Sequence, residues 1–131
     1  FCKKLKINYM QTKPKNLIIE LTLQFALDSI EYVETLEEKR KFVVANQLLK
    51  SATSIGAISR EAQNAESKSD FINKMKIAHK EGDETEYWLE ICQKAKSYPN
   101  PPDELIESIK SIQRVLSKII GTSKKPNNVS K

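Results

Sequence analysis

Proton transfer or metal binding in this chain would have to centre on His79, its single histidine, since imidazole titrates near neutral pH and is the commonest metal ligand. A zinc site needs further ligands at set spacing, yet there is no second histidine, and neither Cys2 nor Cys92 lies near His79 in sequence. A dinuclear carboxylate site of the kind held inside helix bundles needs a glutamate three residues before the histidine, and Lys76 stands there instead. Serine nucleophiles find no GxSxG elbow, and the three glycines, Gly56, Gly82 and Gly121, make neither a phosphate loop nor a dinucleotide fingerprint. The expectation is a protein that is no enzyme and uses neither metal nor other cofactor. Glu61 and Glu84, flanked by small or aromatic residues, are expected to be partly buried and paired with Arg60 or a lysine.

Binding chemistry is better represented. Lys110, Arg114 and Lys118 recur every fourth residue, which places them on one helix face, and they run toward Lys124 and Lys125. Such a stripe suits phosphates or an acidic partner, and an ordinary solvated face is the alternative. The net charge of +5 is unevenly spread: residues 1–16 carry five lysines and residues 122–131 carry three, with no acid in either stretch. Between Leu17 and Gly121 there are 14 basic and 17 acidic residues, so the body is net acidic. Five acids, Glu81, Asp83, Glu84, Glu86 and Glu90, follow one another without a lysine or arginine and would suit a basic partner protein.

The elements that must carry these residues read as four helices of one domain, all-α and antiparallel, up-down-up-down. The helices are expected at about 16–37, 41–67, 69–95 and 101–120, with a basic, flexible N-terminal tail (1–15) and a basic C-terminal tail (122–131). In the first helix Ile18, Leu21, Phe25, Tyr32 and Leu36 form one apolar stripe, and Ile19, Leu23, Ala26, Ile30 and Val33 form a second beside it. A helix covering one core needs an apolar arc of roughly 100°, so the extra width calls for a second buried contact, read as another subunit. The second helix has small residues at its centre, Ser51, Ala52, Ser54, Gly56, Ala57 and Ser59, which let a neighbour approach closely. Ser67 or Ser69 caps the third, whose inner face carries Phe71, Met75, Ala78, Gly82, Leu89 and Cys92. The run Pro99-Asn100-Pro101-Pro102 separates it from the fourth, with Asn100 as N-cap, where Leu105, Ile109, Ile112, Leu116 and Ile119 alternate by four and three before Gly121 as the stop. No window is apolar enough to span a bilayer and the first residues lack a signal peptide's apolar region, so a cytoplasmic location with reduced thiols is expected. Phe1 in place of methionine points to a processed or artificially set start.

The stretch from Ser54 to Cys92, SIGAISREAQNAESKSDFINKMKIAHKEGDETEYWLEIC, together with NLIIELTLQFALDSIEY and VVANQLLKSATSIGA upstream, resembles the 23S rRNA-intervening-sequence proteins over residues 16 to 121. Ile58 stands where that family usually has asparagine, and Gly82 where alanine is common. The resemblance implies a bundle assembled as a ring-like homopentamer in a bacterial cytoplasm. It further implies that Gly56, Glu61, Ala62, Glu84, Tyr87 and Trp88 serve packing or interfaces, a role that the apolar stripe of the first helix already assigns to Ile18, Leu21 and Phe25. The chain is more distantly similar to the accessory variability proteins of diversity-generating retroelements, basic pentamers that bind nucleic acid. Two functions are therefore carried forward: an oligomer that meets RNA or other nucleic acid through the basic stripe and tails, and a scaffold that holds a partner protein by the acidic 81–90 face or the first helix.

Overall fold

The computed structural model describes residues 14–125. Four helices account for most of them: α1 (Pro14–Glu38), α2 (Phe42–Ala62), α3 (Lys68–Lys94) and α4 (Asp103–Lys124). Most of the predicted N-terminal tail and the end of the C-terminal one, including Cys2 and Lys131, lie outside the described residues.

Packing closes a four-cornered bundle in which α1 contacts α2 and α4, and α3 contacts the same two. Its core is the set the periodicity picked out. Ile18, Phe25 and Leu36 of α1 meet Leu48 and Ile55 of α2, Met75, Leu89 and Cys92 of α3, and Ile109, Ile112 and Leu116 of α4, each essentially inaccessible to solvent. Burying a Leu, Ile, Phe or Met side chain contributes roughly 1.5–3 kcal/mol, so these stripes drive assembly. Pairs across the helices fix the register. The Tyr32 hydroxyl donates to the Pro99 carbonyl at 2.6 Å, Gln113 reaches Asp83 at 3.0 Å, and Lys68 Nζ donates to the Lys125 carbonyl at 3.2 Å.

The joints differ in chemistry. Glycine is absent between α1 and α2, and Arg40 adopts the left-handed conformation itself, with φ 62°. Its N–H donates to Glu37 O at 2.9 Å while the Lys41 N–H donates to Leu36 O, also at 2.9 Å, which is the bond pattern of a Schellman stop. Lys41 then lays its ammonium over the Tyr98 ring, 5.2 Å from the centroid. α2 ends at Ala62, five residues before the expected Ser67. Gln63, Asn64 and Ala65 bond three residues back, tightening the last turn, and Ser67 turns extended to cap α3, accepting from the Asp70 N–H at 3.0 Å. At the other end of the bundle Pro102, not Asn100, occupies the N-cap of α4, and Asp103 and Glu104 face the positive helix end. The fourth helix also runs through Gly121 to Lys124, because the glycine keeps helical geometry and no left-handed residue follows it among the described residues.

The crowd of small residues has the predicted use. A Cβ on Gly56 would stand 3.1 Å from Thr22 Oγ1, so α1 and α2 meet almost backbone to side chain. Five hydroxyl-bearing side chains, Thr22, Ser29, Ser51, Ser59 and Thr85, are also buried, and the Ser51 and Thr85 oxygens lie 2.9 Å apart.

Candidate binding surfaces

The basic stripe emerges on α4 as the spacing requires: Lys110, Arg114 and Lys118 are exposed, and so are Lys124 and Lys125 at the helix end. Arg114 donates to Ser111 Oγ at 3.2 Å, while Lys110 lies close enough to Glu86 to stabilise its carboxylate. Burial and the neighbouring Asp83 nevertheless hold Glu86 above the usual carboxylate range.

The run of acids in α3 does not form one face. Asp83 accepts from the Gln113 carboxamide, Glu86 turns toward α4, Glu90 pairs with Lys94 at 2.9 Å, and Glu84 accepts from the Trp88 indole at 3.1 Å. The expected burial and ion pairing of Glu61 and Glu84 is corrected by the structure. Both are exposed, neither belongs to an ion pair among the described residues, and Glu84 spends its carboxylate on an indole one turn away. Trp88 also meets Tyr87 edge-on, with centroids 5.2 Å apart, leaving Tyr87 largely exposed. Of the other packing residues, Ile18, Phe25 and Ala62 are buried and Leu21 is half-buried against the core.

Where α3 and α4 meet, the fold assembles what spacing in sequence could not show. His79 Nε2 lies 3.2 Å from Ser117 Oγ, and His79 Nδ1 lies 3.8 Å from Asp83 Oδ2. The order Asp–His–Ser is that of a nucleophilic triad, but its parts are set for structure. The 3.8 Å spacing is that of an ion pair and too long for a hydrogen bond. Asp83 is held by Gln113, and Ser117 lies inside a helix whose N–H groups are used by the helix, so no backbone oxyanion hole faces it. Gln113 donates to both Asp83 and the His79 carbonyl, and its carboxamide fills the space that a Cβ on Gly82 would need. No group of three or more metal-binding side chains occurs among the described residues.

Two further surfaces lie away from the α3–α4 junction. Leu23, Leu27 and Ile30 lie exposed on α1 at 50%, 46% and 39% of their area. The second apolar stripe of α1 was legible, but Leu27 belongs to neither stripe and was missed. Phe42 and Val43, at the start of α2, are also exposed. Between α1 and the start of α4 opens a cleft of about 660 Å³ carrying Asp28, Glu31 and Glu104 around Tyr32. Its acids come from two helices far apart in sequence. Cys92 is buried, and that burial raises its thiol above the ordinary range. No described helix is long and apolar enough to cross a membrane.

The family model for the 23S rRNA-intervening sequence protein matches residues 15–118. A crystal structure of a protein of unknown function from the S23 ribosomal protein family of Bacteroides thetaiotaomicron is similar over 83% of this chain and 99% of that one, with 37% sequence identity and a TM-score of 0.78. Comparison with curated proteins gives no match.

Proposed function

Since the chain belongs to the 23S rRNA-intervening sequence protein family, we propose that it is a non-catalytic, cytoplasmic, ring-forming binding protein whose five antiparallel up-down-up-down bundles present their basic stripes to RNA. The observation that carries this reading is the row Leu23, Leu27 and Ile30, which leaves apolar area on α1 for another copy to cover. The order of the pairs Lys68–Lys125, His79–Ser117 and Asp83–Gln113 supports opposed directions for α3 and α4.

A ring matters because one stripe of three exposed cations is a weak site. Linked sites gain roughly 10²–10⁴-fold in affinity without new contacts when one partner spans them. Lys110, Arg114 and Lys118 make the phosphate contacts, with Lys124, Lys125 and the terminal lysines as auxiliaries. Light scattering of the full chain should give a mass near five protomers. Binding of structured RNA should weaken steeply with salt, and Lys110→Ala/Arg114→Ala/Lys118→Ala should flatten that dependence. A clean 15.0 kDa monomer would remove the ring, and an unchanged salt slope would remove the stripe.

A partner protein held by α1 is the second reading, and the acidic cleft beside Tyr32 favours it. A nuclease-resistant pull-down of one basic protein, lost in Asp28→Asn/Glu31→Gln, would decide for it.

A further inference from the structure

The groove between the first half of α3 and the last turns of α4 measures about 370 Å³ and is lined by Lys76, His79, Lys80, Ser117, Gly121 and Lys124, with Ile120 as an apolar wall. A second cleft of about 500 Å³ continues it past Lys76 and Lys124 to Lys68, Ser69 and Asn73. Neither has a carboxylate in its lining, although the body of the chain is net acidic. From these features we propose that the groove is a binding site for a phosphate oxyanion, held between Lys76 and Lys124 with His79 and Ser117 beneath it and Lys80 at its rim.

Three observations support the assignment. The ammonium groups of Lys76 and Lys124 are brought together from different helices, and the neighbouring Lys124 pushes the Lys76 amine below its ordinary range. An anion between them turns that repulsion into two attractions. The carbonyls at the end of α4 account for Lys68 and Lys124, since cations favour a helix C-terminus. They do not account for Lys76 and Lys80, which stand well inside α3. Gly121 is the third observation. A glycine inside a helix costs roughly 1 kcal/mol against alanine, and here a Cβ would meet nothing within 4 Å, so packing does not demand it. Its missing side chain leaves the groove wider.

The oxygen acceptors of a phosphate match the donors present: ammonium groups, a serine hydroxyl and an imidazole that becomes a donor on both nitrogens when protonated. Asp83 lies 3.8 Å from Nδ1 of His79, the ring nitrogen turned away from Ser117. Glu86 also faces His79.

His79 is the only histidine, so its imidazole resonances report on this groove alone. Inorganic pyrophosphate titrated into the full chain should shift them saturably, beyond the effect of sodium chloride at the same ionic strength. Lys76→Ala and Lys124→Ala should each weaken that binding roughly fivefold, while Lys96→Ala, in the α3–α4 connection, should not. Shifts no larger than those from chloride, or wild-type affinity in both variants, would overturn the site. Two RNAs of one sequence, with 5′-monophosphate or 5′-hydroxyl ends, identify the source: tighter binding of the phosphorylated end assigns the site to RNA termini, and equal binding alongside the pyrophosphate response assigns it to a free phosphate compound. The groove shares Lys124 with the auxiliary cations of the α4 stripe but contains none of Lys110, Arg114 and Lys118. Lys110→Ala/Arg114→Ala/Lys118→Ala should keep the pyrophosphate response whatever becomes of RNA binding.

Discussion

Ser29 and Ser59 are buried with hydroxyl oxygens that meet no hydrogen-bond partner. An unsatisfied buried polar group costs roughly 1–3 kcal/mol, so Ser29→Ala and Ser59→Ala should each raise stability by about 1 kcal/mol, read as a higher urea midpoint. Cys92 and Tyr32 act on the pH axis. Burial raises both above their ordinary values, and the Cys92 side chain adds to the effect on Tyr32. The folded chain thus keeps protons that the unfolded chain gives up. These two groups should leave stability unchanged from neutral pH up to the unfolded thiol value of about 8.5, lower it as pH rises through that value, and lower it further above about 10 where the unfolded phenol ionises. Cys92→Ala should remove the first part of that fall in denaturation curves taken from pH 7 to 10. Cys92 could be placed in the core from its helical spacing. The orphaned hydroxyls could not, because a serine on a crowded small-residue face reads equally well as a close contact or as a satisfied group.

At the scale of the element, the three glycines and Arg40 behave differently for reasons of surroundings. Arg40→Gly relieves a left-handed residue that carries a Cβ and should stabilise the chain by about 1 kcal/mol. Gly121→Ala should gain up to about 1 kcal/mol of helix propensity, since the new methyl enters open space. Gly82→Ala should lose stability by about 1–3 kcal/mol, because the Gln113 carboxamide must leave and give up its bonds to His79 and Asp83. Thermal melts of the three variants should therefore rise, rise and fall. The stripe of α4 was readable because five branched aliphatics recur at three and four. The end of α2 was not, since Ala62 to Ala65 contain no breaker and Ser67, a cap for the next helix, looks equally acceptable inside one. Gly121 misled for the complementary reason: a glycine stops a helix only when the chain takes a left-handed turn there.

On the whole molecule, the decisive features are the surfaces left unused by the core. Leu23→Gln/Leu27→Gln/Ile30→Gln should lower the mass seen by light scattering to that of one protomer while leaving the helical circular dichroism intact, because none of the three belongs to the buried set. The extra apolar width of α1 was visible in its double stripe, and the structure leaves Leu23 and Ile30 of that stripe exposed. The convergence of Lys76 with Lys124, of His79 with Ser117, and of Asp28 with Glu104 was not visible. Each joins helices whose relative placement depends on the full set of core contacts and not on local spacing.

The fit of Gln113 over Gly82 reaches beyond the stability of this one chain. Residue 82 can gain a side chain only if residue 113 becomes shorter or swings away, so the two positions are expected to drift together across descendants of this sequence. A double-mutant cycle on Gly82→Ala and Gln113→Ala should show strong non-additivity, the second change repairing much of what the first one damages.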